Sequence, residues 1–118
     1  MKISTTLFTS LFVFLLSFSN VSIFAAEVKG NNVRYVNARW EEGKEKKVSF
    51  TKQSNNNQWE EHNQWNDRRY LWEQINHDEW SVYLKMGVDK AQIDLFKQKI
   101  IFERNGVKEV ADIVDKKD

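Results

Sequence analysis

Beyond residue 26 hydrophobic side chains recur at every second position, and short polar clusters interrupt them at regular intervals. Residues 32–40 (NVRYVNARW) place Val36, Ala38 and Trp40 on one face and Tyr35, Asn37 and Arg39 on the other. A turn at Glu41-Glu42-Gly43-Lys44 leads to residues 47–52 (KVSFTK), where Val48 and Phe50 share a face. Residues 69–75 (RYLWEQI) and 79–86 (EWSVYLKM) continue the pattern on either side of Asn76-His77-Asp78. In the second of these, Trp80, Val82, Leu84 and Met86 alternate with Ser81, Tyr83 and Lys85. After a turn at 87–90, residues 92–96 (QIDLF) pair Ile93 with Leu95, and a turn at Lys97-Gln98 precedes 99–104 (KIIFER). A period of two with turn residues between the runs predicts strands that have one buried and one wet face.

Asn105-Gly106 is the sharpest local signal. A two-residue type I′ turn needs positive φ at both central positions, which asparagine and glycine tolerate. Such a turn sets Arg104 opposite Val107, Glu103 opposite Lys108 and Ile101 opposite Val110, giving an opposite-charge pair and an apolar pair across the strands. Residues 107–114 also fit one helical face through Val107, Val110 and Val114, but the hairpin favours a strand. Residues 115–118 read as a charged, frayed tail. Residues 53–66 (QSNNNQWEEHNQWN) have only Trp59 and Trp65 as apolar positions and read as a polar, asparagine-rich loop, with a short strand around Trp59 as the alternative. The expected fold is mostly β: one antiparallel meander of about six to eight strands closing as a small barrel or sandwich.

The first 26 residues are unlike the rest. Lys2 is followed by an uncharged stretch at 3–26 whose greasiest part is 7–18 (LFTSLFVFLLSF), and the stretch ends in small residues. That order predicts a secretory signal peptide. Cleavage after Ala25 puts Ile23 at the −3 position and cleavage after Ala26 puts Phe24 there, so the mature chain is expected to start at Ala26 or Glu27. An uncleaved anchor is the alternative, since roughly 20 apolar residues span a bilayer; the polar Ser17, Ser19, Asn20 and Ser22 weigh against it. The expected organisation is a signal at 1–26 and one β-rich domain at 27–118, secreted or periplasmic, with a membrane involved only through the signal before cleavage.

Charge and composition narrow the function. Loss of Lys2 with the signal brings Lys+Arg from 18 level with Asp+Glu at 17, so the exported domain is formally neutral and carries no electrostatic footprint for nucleic acid. All five tryptophans remain in it: Trp40, Trp59, Trp65, Trp72 and Trp80. Cysteine is absent, so no disulfide supports this small domain and no thiol can act as nucleophile or metal ligand. A short domain without disulfides depends on large side chains, each buried aromatic removing roughly 150–250 Å² from water. Trp72 and Trp80, on strands flanking His77, are expected in the core.

Catalytic and metal motifs are missing. There is no G-x-S-x-G, no H-E-x-x-H, no phosphate-binding loop and no calcium loop. Glu60-Glu61-His62 is the one cluster with ligand chemistry, but neighbours on an extended chain point to opposite faces. Asp67, Asp78, Glu79 and Asp94 include no pair that the sequence places across a cleft, as glycoside hydrolysis requires. No cofactor is expected. Trp59 and Trp65 among Asn57, Asn63 and their neighbouring amides have the chemistry of a sugar-binding or protein-binding surface, with Tyr83 extending it on a wet face. An aromatic ring stacks on the apolar face of a pyranose while amides reach its hydroxyls, and tryptophan is equally enriched at protein interfaces.

The segments DEWSVYL (78–84), QIDL (92–95) and KIIF (99–102) resemble a small tryptophan-rich domain of exported microbial proteins, and the likeness extends over about half of the chain. The resemblance implies export and a β-meander, and implies no activity and no catalytic residue. The resulting expectation is an exported, non-catalytic binding module that engages a protein or glycan partner through surface aromatics. Two other classes stay open: a small secreted hydrolase or enzyme inhibitor acting on envelope or host material, and a structural subunit that assembles by strand addition.

Overall fold

A computed structural model describes residues 27–42, 45–54 and 56–118. The expected export signal at 1–26 lies outside the described residues, as do Gly43, Lys44 and Asn55. Eight antiparallel strands follow one another: β1 (Tyr35–Trp40), β2 (Lys47–Lys52), β3 (Gln58–Asn63), β4 (Arg68–His77), β5 (Ser81–Met86), β6 (Asp89–Asp94), β7 (Lys99–Arg104) and β8 (Val107–Lys117). Each pairs with the next, and β8 pairs back onto β1, so the meander closes as a barrel. Closure removes sheet edges, and with them the row of unpaired N–H and C=O groups that strand addition would use.

Alternation explains the core. Val36 and Ala38 of β1, Val48 and Phe50 of β2, Trp59 of β3, Trp72 of β4, Val82 and Leu84 of β5, Ile93 of β6, Ile100 and Phe102 of β7, and Ala111 of β8 all point inward and are buried. Phe50, Trp72 and Phe102 meet with ring centroids 5.7–6.3 Å apart, and Trp40 lies 4.8 Å from Phe102. Tilted and edge-on contacts at such separations add to the gain from burial alone.

The β7–β8 hairpin has the register expected of its turn: Arg104 opposite Val107, Glu103 opposite Lys108 and Ile101 opposite Val110. Asn105 (φ 51°) and Gly106 (φ 79°) both occupy the left-handed region. Residues 107–114 are therefore strand, and β8 runs on through the charged tail, with Lys117 opposite Tyr35.

Residues 53–66 differ from the expected loop. Six of them form β3, paired along its length with β2 and β4. The strand escapes a hydrophobicity reading because two of its three inward positions, Glu61 and Asn63, are polar. The turn expected at 76–78 starts later, because β4 continues to His77 across a register shift between Gln74 and Asn76.

The two poles of the barrel are built differently. At one, the segment 27–34 crosses the opening. Gly30 N–H donates to the Glu79 carbonyl (2.9 Å), Val33 is buried, and Arg34 N–H reaches the Lys117 carbonyl (2.8 Å). Gly30 cannot be replaced without moving the chain, since a Cβ there would lie 2.0 Å from the Asp78 carbonyl oxygen. Leu95 is buried and half-buried Trp80 packs against this pole, with Phe96 6.0 Å from the Trp80 ring. The opposite pole carries the β1–β2, β3–β4, β5–β6 and β7–β8 turns, and no segment crosses it among the described residues.

Candidate functional site

The uncovered pole opens into a cavity of about 630 Å³. This lies inside the range of roughly 300–1,000 Å³ typical of small-molecule sites. Its walls carry the rings of Trp40, Trp65 and Tyr70, and its polar lining includes Asn63 and Arg104. Trp40, Asn63, Tyr70 and Arg104 come from the mouth ends of β1, β3, β4 and β7, where the inward alternation passes from apolar to polar. Trp65 belongs to the β3–β4 turn and is 52% exposed. Lys46, from the β1–β2 turn, sits 4.5 Å from its ring centroid.

Beneath the aromatic walls lies a buried ion pair. Glu61 has no exposed surface. Its Oε1 accepts the Trp72 Nε1–H at 2.8 Å, and its Oε2 accepts from Arg104 Nη2 at 2.7 Å. The guanidinium lies 4.6 Å from the Phe102 ring centroid and 5.7 Å from those of Tyr70 and Trp72. Glu109 approaches Arg104 Nε no closer than 3.9 Å. A buried charge pair is tolerated when both members are fixed by further hydrogen bonds, and here the indole supplies one.

Two buried polar atoms in this cavity lack a hydrogen-bond partner among the described residues: Asn63 Oδ1 and Arg104 Nε. Asn63 is only 7% exposed. Buried polar groups are almost always paired, and each exception requires an explanation. One is an acceptor and the other a donor, and both belong to residues that line the mouth.

The sequence candidates are dispersed over the barrel. Trp65 and Asn63 meet at the mouth. Trp59 is part of the core instead of a surface: its ring has no exposure and its Nε1–H donates to Gln74 Oε1 at 2.8 Å. It fills the lumen toward the covered pole, opposite Lys52 at the end of β2. Asn57 lies in the β2–β3 turn at that same pole, where its carbonyl accepts the Gln74 N–H at 2.6 Å. Tyr83 is on the outer wall, donating to Asp78 Oδ2 at 2.8 Å. Sequence reasoning did not place Arg104, Trp40 or Tyr70 in a site, and weighed Glu61 only as part of the Glu60-Glu61-His62 cluster. The available signal was parity: Arg104 shares its face with Ile100 and Phe102, and Glu61 with Trp59.

Outside the mouth, Asp78 and Tyr83 secure the β4–β5 turn. The Tyr83 hydroxyl, joined by the Trp80 and Ser81 N–H groups, holds Asp78 below its ordinary value of 3.8 against the desolvation that opposes them. The same bond pushes Tyr83 above its ordinary 10.0. The depressed carboxyl contributes stability above pH 3.8 that is lost as pH falls through its folded value. The raised phenol contributes stability below pH 10.0 that is lost as pH rises through its folded value. Tyr83→Phe is therefore expected to be less stable than wild type near neutral pH, with the gap narrowing toward both strong acid and strong alkali. Urea unfolding across pH checks this; a gap constant at both extremes would refute it.

Among the described residues, no three His, Asp or Glu side chains gather as a metal site, and no helix is long and apolar enough to cross a membrane. No protein-family model, curated protein or solved structure matches the chain.

Proposed function

We propose that this protein is an exported, non-catalytic binding barrel that receives a hydroxylated ring, a saccharide unit, in its open mouth. The observation that carries the reading is the concave mouth itself, where the rings of Trp40, Trp65 and Tyr70 stand beside the polar side chains of Asn63 and Arg104. A hydroxyl both donates and accepts, so a polyol suits a wall that carries an amide and a guanidinium. The walls suit the rest of such a molecule, because Trp40, Trp65 and Tyr70 present apolar ring surface to its C–H faces. Of the two partner classes expected from sequence, the concave site favours the glycan. A protein hot spot would call for aromatics projecting from a convex surface into a partner's pocket, and Trp59 is unavailable for that.

The test is a saccharide panel titrated against tryptophan fluorescence and calorimetry, with Trp65→Ala and Asn63→Leu in parallel. Saturable binding by the wild type, weakened about tenfold or more in each variant, is the expected result. Binding that persists unchanged in both variants would move the site elsewhere, and a panel without a single binder would remove the saccharide reading.

A further inference from the structure

We infer that Glu61 makes the mouth selective for uncharged rings over carboxylate-bearing ones. This rests on the saccharide reading of the cavity and names the ligand's charge. An arginine in an aromatic pocket is ordinarily a receptor for carboxylates, which it grips through two parallel N–H donors. Arg104 is not presented in that way. One Nη2 hydrogen is engaged by Glu61 at 2.7 Å, which takes up one of the two guanidinium edges capable of such a grip. Glu109 stands 3.9 Å from Nε. A ligand carboxylate would thus approach a cation already flanked by two carboxylates.

Glu61 is also fixed in place. It is fully buried, and the Trp72 indole holds its second oxygen at 2.8 Å, so it does not swing aside for an arriving anion. The rim provides no compensating positive field. Lys46 is drawn over the Trp65 ring at 4.5 Å, and Lys108 is offset by Glu42 and Glu109 along the same lining. What remains for a ligand is an amide-bearing aromatic wall whose cations, Lys46, Arg104 and Lys108, are outnumbered by the carboxylates of Glu41, Glu42, Glu109 and Glu61. That arrangement suits hydroxyls and penalises a desolvated carboxylate, which loses its water without gaining a free cation.

The experiment compares matched probes, methyl glucoside with methyl glucuronide and methyl galactoside with methyl galacturonide, on the full domain. The wild type is expected to bind the neutral member of a pair about tenfold more tightly. Glu61→Gln should narrow or reverse that ratio by releasing Arg104. Glu109→Gln, on a half-exposed side chain that the fold does not need, should narrow it to a smaller extent and provides the comparison should Glu61→Gln fold poorly. A wild type that binds the acidic member equally well overturns the inference, as does a ratio unmoved in the variants, while neutral binding in either case leaves the saccharide reading standing. Failure of all four probes to bind overturns both.

Discussion

Arg104→Met is expected to lower the free energy of unfolding by about 3–5 kcal/mol, the typical cost of removing one partner from a buried ion pair. The substitution keeps the length and apolar stem of the side chain, so the loss reports on the charge. It leaves the Glu61 carboxyl with no exposed surface and with only the Trp72 indole as a partner. Combining it with Glu61→Gln should recover much of the loss, because the amide oxygen still accepts from Trp72 while the stranded carboxyl is gone. Urea unfolding of the wild type, both single variants and the double variant gives the coupling directly. If Arg104→Met costs under about 1 kcal/mol, the pair behaves as a surface salt bridge and the buried geometry described above is refuted.

The second large effect separates two tryptophans that the sequence alone treats alike. Trp59→Ala empties a fully buried site and orphans Gln74 Oε1; about 3–5 kcal/mol is the expected cost. Because small domains have a total stability of only about 5–15 kcal/mol, the variant should melt far below the wild type or fail to fold. Trp65→Ala should change stability by no more than about 1 kcal/mol, since its ring is half exposed and contributes a surface contact with Lys46. Thermal unfolding followed by circular dichroism distinguishes them, and equal midpoints for the two variants would contradict the burial pattern.

Much of the barrel was legible in the chain because an eight-stranded meander consists of hairpins, and hairpins are local. The Asn105-Gly106 turn fixed the register of β7 with β8, and the alternation of Val82 and Leu84 with Tyr83 and Lys85 marked the inner face of β5. β3 was obscured because hydrophobicity is a proxy for burial, and the proxy fails where a carboxylate and an amide are buried. Glu61 is inside because Arg104 is, and those residues are 43 positions apart. No local pattern can reveal a charge neutralised from across the lumen. The mouth was half legible for the same reason. Trp65, Asn63 and Tyr70 belong to one local β3–β4 hairpin, whereas Arg104 of β7 joins them only from across the closed barrel.

That closure also fixes how the molecule can be held. The segment at residue 27 and the last strand both leave the barrel at the covered pole, where Arg34 and Lys117 are joined by a backbone hydrogen bond of 2.8 Å. A tether fused after the last strand, whether a display scaffold, a sensor-chip linker or a second protein, therefore attaches at the pole opposite the opening. A barrel immobilised in this way faces outward and leaves its cavity free to sample the surrounding solution.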